Sequence, residues 1–191
     1  MVVLEQSYPR WRELTIHESS PSKRGVSPVL LRECRGYVPS QYFEKRVSGE
    51  IVEGVRSENL EALSFADESI DLHITQDVLE HLLCPERAFS EIARTLKPGG
   101  AHVFTVPLVN KDRPSRRRAV RTQNGEVEFL APPEYHSNPV SPRGSLVTYD
   151  WGYDICREIF NASGLFTHRI VIDDVARGIK GEFLDVLVSV K

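Results

Sequence analysis

The sequence predicts an α/β fold: a mostly parallel sheet with helices on both faces and an antiparallel hairpin at the carboxyl end. Three observations carry this. Strand and helix signals alternate along the chain, as they do where helices cover the faces of a parallel sheet. The stretch over 69–108 reads strand, helix, strand with its punctuation in place. Two strong β runs, THRIVIDD and EFLDVLVSV, close the chain with no helix between them, which suits a hairpin at the sheet edge.

Taken in order, ELTIHE over 13–18 reads as the first strand, SSPSKRG as a loop, and 26–34 as a helix on Val26, Val29, Leu30 and Leu31. Gly36 to Val38 begin a second strand ending at PSQYF, and 51–55 a third. SIDLHIT alternates Ile70, Leu72 and Ile74, the period of a strand. Pro85 suits the first turn of a helix, and Ala88, Phe89, Ile92, Ala93 and Leu96 mark its buried face. Lys97 is expected in its last turn, with Pro98, Gly99 and Gly100 stopping it before the strand AHVFTVPL. Residues 109–150 interrupt the pattern with Pro114, Pro132, Pro133, Pro139 and Pro142 and a basic cluster. An insertion of this length suggests a functional lid. WGYDICREIFNASGLF then reads as the last helix, closed at Ser163–Gly164. One domain over 1–191 is expected, decorated by this insertion.

Composition narrows the function. The 191 residues carry 24 basic and 27 acidic side chains, a formal charge of −3, with 40% hydrophobic content. Those values exclude a mainly disordered chain and argue against a dedicated nucleic-acid binder. No apolar run is long enough to span a membrane, and the start, MVVLEQSYPRW, does not resemble a signal peptide. Cys34, Cys84 and Cys156 are odd in number and outside any CxxC, so neither a disulfide framework nor a metal site is expected, and a cytoplasmic location is.

The segment from Asn59 to Pro107, with LSFADESID, DVLEH and EIARTLKPGG in order, resembles the core of the class I S-adenosylmethionine-dependent methyltransferases, in particular their small-molecule, methyltransferase type 11-like branch. The resemblance implies a Rossmann-like methyltransferase fold and S-adenosylmethionine as cofactor, lying across the carboxyl ends of the first strands. It places Asn59 where the adenine amino group is read, Leu60 against the adenine ring and Gln76 beside the methionine part, and it matches Glu80–His81 to the "EH" that follows. It also implies a glycine-rich turn after the first strand. The aligned text, Thr15 to Pro21, has His17, Ser19 and Pro21 at the glycine positions. Glu18 and Ser19 are the candidates to contact the cofactor there, or else to cap the following helix. Gln41, with Glu44 nearby, stands where an acid grips the ribose hydroxyls.

The acceptor side is expected in the insertion. PPEYHSNP and TYDWGYD cluster Tyr135, His136, Tyr149, Asp150, Trp151 and Tyr153. His136 is the candidate catalytic base, since an imidazole titrates near neutrality; alternatively Tyr149 and Trp151 dock the last helix. KDRPSRRRAVR holds six basic residues and one acid, either a solvated loop or a recruiter of an anionic substrate. The leading expectation is methyl transfer to a small-molecule or saccharide-type acceptor. A catalytically inactive, methyltransferase-like scaffold is the alternative, motivated by the altered turn. A homo-oligomer is left open.

Overall fold

A computed structural model describes residues 1–138 and 142–191. Its centre is an eight-stranded sheet in the order β13-β14-β6-β5-β1-β2-β4-β3. The strands are β1 (Thr15–Ser19), β2 (Gly36–Gln41), β3 (Ile51–Val52), β4 (Val55–Ser57), β5 (Ile70–Gln76), β6 (Leu96–Thr105), β13 (Phe166–Val171) and β14 (Asp185–Val190). β2, β1, β5 and β6 are parallel neighbours, while β6, β14 and β13 pair antiparallel. The chain leaves β1 toward β2 and β4, then returns to lay β5 on β1's other side. Strand order therefore reverses between β1 and β5, which opens a crevice at their carboxyl ends.

Strand alternation decides what each face buries. Ile16, Leu72, Ile74 and Val103 point to one side, where Val3 and Leu4 of helix α1 (Val2–Ser7) and Leu30 of α2 (Ser27–Glu33) cover them. Phe104 and Leu187 point to the other, under Phe89 and Ile92 of α3 (Pro85–Thr95) and Ile155 and Ile159 of α4 (Ile155–Ser163). Each such large apolar side chain contributes about 1.5–3 kcal/mol on burial. The second face also holds a row of polar residues absent from the expected core. His17, His73 and His102 are cross-strand neighbours on β1, β5 and β6, all essentially inaccessible. His17 bonds Ser40 at 2.7 Å and His73 at 2.9 Å; His73 bonds Thr95 at 2.8 Å, and His102 bonds Thr75 at 2.9 Å.

Two boundaries differ from expectation. α3 stops at Thr95, and Leu96 and Lys97 already belong to β6. The cause is pairing: Leu96 lies opposite Ile70, and the Lys97 ammonium reaches Asp71 at 2.9 Å. The expected third strand over 51–55 is instead a tight antiparallel turn of β3 on β4, since Gly54 takes a left-handed φ of 83° between them.

The insertion is built of short strand pairs. β7 (Arg116–Arg117) pairs β12 (Tyr149–Asp150), β8 (Ala119–Arg121) pairs β9 (Val127–Phe129), and β10 (Tyr135–His136) pairs β11 (Ser145–Leu146). Pro139, the last residue of PPEYHSNP, lies outside the described residues.

Candidate functional site

The crevice floor is made by the ends of β1, β2 and β5. Glu18 is fully buried and accepts hydrogen bonds from Ser27 Oγ (2.7 Å), Tyr37 Oη (2.5 Å) and Gln76 Nε2 (2.8 Å). Burial raises its carboxyl pKa, and the three donors oppose that rise. Glu18 thus ties the end of β1 to the first residue of α2, to β2 and to the end of β5. Ser19, at the end of β1, is buried at 3% exposure.

The turn differs from the alignment read in the sequence. His17 sits inside β1, not in the turn. Ser20 is the residue that adopts the left-handed φ of 57° just after the strand. Gly25 follows at φ 69°, and a Cβ there would meet only Gln76 Oε1, at 3.6 Å. The aligned text Thr15 to Pro21 holds no glycine, but Gly25 leaves a bare backbone position in the same loop facing the Gln76 side chain, of the kind a ligand can approach closely.

Gln41 ends β2 at 8% exposure, and its backbone carbonyl accepts from Glu58 N–H. Asn59 closes an Asx turn, its Oδ1 accepting from Glu61 N–H at 2.9 Å. That oxygen keeps a second lone pair. Leu60 is 3% exposed and belongs to the apolar cluster with Leu63 and Leu79.

The opposite wall comes from the segment after β5. A 3₁₀ turn, Leu79–His81, presents Glu80 and His81. Thr148 fixes it by donating its N–H to the Glu80 carbonyl (2.7 Å) and its hydroxyl to the Leu82 carbonyl (2.5 Å). His81 Nδ1 lies 2.8 Å from the Leu146 carbonyl, so that nitrogen carries the proton and Nε2 is left with its lone pair. The β10–β11 pair delivers His136 to the same place: its ring centroid is 5.1 Å from that of His81. Glu80 Oε1 lies 3.6 Å from His81 Nε2 and 3.7 Å from His136 Nδ1. Both Glu80 carboxylate oxygens are buried without a hydrogen-bond partner. Burial raises the Glu80 pKa to about 8, with the Asp77 carboxylate adding to the rise. Burial lowers that of His81, against the Leu146 carbonyl.

Sequence reasoning found His136 and noted Glu80–His81, but it did not join them, because His136 lies 55 positions after His81, beyond α3 and β6 and inside the insertion. Tyr149 and Trp151 stack at 4.3 Å, and Trp151 packs on Phe89, so this pair docks the insertion onto α3 and α4. The basic cluster is largely spent on internal pairs: Lys111 with Glu182, Arg116 and Arg118 with Asp150, and Arg117 with Glu86.

Comparison with known proteins now bears on this crevice. Residues 28–104 match the family described as "Methyltransferase domain". The fold is that of the class I S-adenosylmethionine-dependent methyltransferases. An S-adenosylmethionine-dependent methyltransferase from Mesorhizobium loti superposes with a TM-score of 0.58 at 15% identity, covering 99% of this chain and 95% of the other. YcgJ from Bacillus subtilis gives 0.59 at 13% identity, covering 100% and 97%. A chain from the Haloferax volcanii complex of the Trm112 methyltransferase activator with a putative methyltransferase gives 0.58 at 18%, covering 98% and 87%. No protein of curated function matches the chain.

S-adenosylmethionine is the cofactor that the matched domain implies. The residues at the ends of β1, β2 and β5 are compatible with it: Gly25 leaves backbone open, Gln76 brings a side-chain amide to the same spot, and Gln41 stands at the end of β2.

Proposed function

We propose that this protein transfers a methyl group from S-adenosylmethionine to a small-molecule or saccharide-type acceptor bound under the insertion. One observation carries the reading: Glu80 and His81, which His136 joins, follow within five residues of Gln76, the end of β5, and β5 borders the strand-order reversal with β1, so donor and acceptor sites would share one edge of the sheet. Gln41, Gly25 and Gln76 would hold the donor, with Glu18 positioning Gln76 through their hydrogen bond. Asn59 has one carbonyl lone pair left for the adenine amino group, and Leu60 backs that position from the core. The donor supplies an electrophilic methyl group on a cationic sulfur. The protein's own work is alignment of the acceptor and exclusion of water.

His136 is the side chain placed to receive the acceptor's proton. It is the most exposed member of the cluster, at 40% for the side chain, and so the one an acceptor reaches first. Arg113 and Arg121, outside the internal pairs named above, are the basic residues an anionic acceptor would meet. Three free cysteines and the lack, among the described residues, of a helix long and apolar enough to cross a membrane suit a cytoplasmic enzyme.

The scaffold reading keeps one observation, the closure of Glu18 by three donors across the crevice floor. A transfer assay with methyl-labelled donor and a panel of hydroxylated and amino acceptors separates the two. Labelled product that falls at least about 100-fold in His136→Ala supports the enzyme and its base. A protein that labels no acceptor and binds no donor is the scaffold.

A further inference from the structure

We infer that Glu80, His81 and His136 form a binding site for one divalent transition-metal ion, a site of one carboxylate and two imidazoles with open positions toward the crevice. The three groups each offer a ligand atom, and these atoms lie within 4.8 Å of one another. The two Glu80–histidine separations, 3.6 and 3.7 Å, are too long for hydrogen bonds. They are close to the spacing of donors around an ion, since two bonds of about 2.1 Å at a tetrahedral angle put their ends about 3.4 Å apart.

The Glu80 side chain makes the case stronger. It is 2% exposed, its Oε1 faces both histidines, and neither of its oxygens has a hydrogen-bond partner among the described residues. Buried carboxylates are ordinarily hydrogen-bonded, paired or bound to a metal. Here no hydrogen-bond donor reaches it among the described residues, and its neighbours are two imidazoles, paired with it only when protonated. The histidines, by contrast, are arranged as ligands usually are. His81 gives its Nδ1 proton to the Leu146 carbonyl, which fixes the ring and aims the bare Nε2 at Glu80. His136 turns Nδ1 toward Glu80 while Nε2 faces Glu134 Oε1 at 3.8 Å. Orientation of a ligating imidazole by a carbonyl or carboxylate on its other nitrogen is the usual outer support of such sites.

The donor set selects the ion. Imidazole nitrogens favour Zn²⁺, Fe²⁺, Co²⁺ or Ni²⁺ over Mn²⁺, which the carboxylate still suits, whereas Mg²⁺ and Ca²⁺ prefer oxygen alone. Three protein ligands leave positions for substrate or water, the arrangement of catalytic rather than structural metal sites. The role of the ion, though not its binding, rests on the methyl-transfer reading. An ion here would hold an oxygen acceptor by its hydroxyl and a neighbouring oxygen and lower that hydroxyl's pKa, so that its proton leaves to water and His136, in the ion-loaded protein, serves as a ligand in place of the base. Cysteine spacing could not reveal the site, because its ligands are two adjacent residues and a third delivered by the β10–β11 pair.

The test is equilibrium dialysis of untagged, EDTA-stripped protein against ZnCl₂ and MnCl₂, with the visible absorption of the Co²⁺ form as a second readout. One ion per chain is expected, not displaced by excess Mg²⁺, with affinity at least about tenfold weaker in His136→Ala and in Glu80→Gln. His136 is partly exposed on a short strand pair, so that variant tests the site in a folded protein, checked by circular dichroism. No saturable binding, or equal affinity in wild type and both variants, overturns the site. The function reading fails separately: a protein that binds the ion but neither binds nor uses S-adenosylmethionine keeps the site and loses the methyl-transfer reading, and the reverse result does the opposite.

Discussion

Glu18 shows how one side chain can organise the crevice floor. Its carboxylate satisfies Ser27, Tyr37 and Gln76 at once, joining α2, β2 and β5. Removing it leaves three buried or half-buried donors without an acceptor. Glu18→Ala is therefore expected to lower unfolding free energy by about 1–3 kcal/mol in urea titration, and Glu18→Gln by less. Donor affinity should fall with it, because Gln76 loses the partner that holds it. Undiminished stability in Glu18→Ala would contradict this role. The sequence singled out Glu18, near the end of β1, as a candidate either to contact the cofactor or to cap the following helix. That it acts by organising the turn was not legible there, because Tyr37 and Gln76 are distant in sequence and meet it only through strand pairing.

At the scale of elements, the strongest signals were those in which local chemistry and packing agree. Pro85 begins α3, and Ala88, Phe89 and Ile92 fall on its buried side. Gly164 ends α4 in a left-handed cap at φ 75°. The terminal hairpin forms as its two β runs require. The misread elements are those decided by a partner strand: β6 starts early because Leu96 and Lys97 find Ile70 and Asp71. The insertion was opaque for the same reason, since pairs of two or three residues leave no periodicity. Its β10–β11 pair depends on Gly144, at φ 80°, where a Cβ would come within 2.5 Å of the His136 carbonyl oxygen. Gly144→Ala must push that strand away. The expected outcome is a loss of labelled product close to that of His136→Ala, with the melting temperature of the main domain little changed, since the central sheet is untouched.

Across the whole molecule, the buried histidine row makes folding sensitive to acid. Burial lowers the pKa of His17 and of His102 from the ordinary 6.5 to about 3, and that of His73 likewise falls far below it. The unfolded chain then binds protons that the folded chain refuses. Stability is fully present above about pH 6.5 and is lost as pH falls toward 3, by about 1.4 kcal/mol per pH unit for each histidine. Urea midpoints measured from pH 7 to 4 should fall steeply in wild type and less steeply in His102→Gln, which keeps a polar partner for Thr75. Equal slopes would contradict it. The sequence displayed these residues in plain view, one in each of TIHES, IDLHIT and GAHVFT. Their alignment into one row emerges only from the registers His17 to His73 to His102.

The proposed activity depends most on the donor crevice between β1 and β5, and isothermal titration with S-adenosylhomocysteine tests it most directly. One site per chain is predicted, with binding abolished by Gly25→Val, whose branched side chain would fill the space beside Gln76 Oε1. No heat at high micromolar ligand, or equal heat in Gly25→Val, would contradict it.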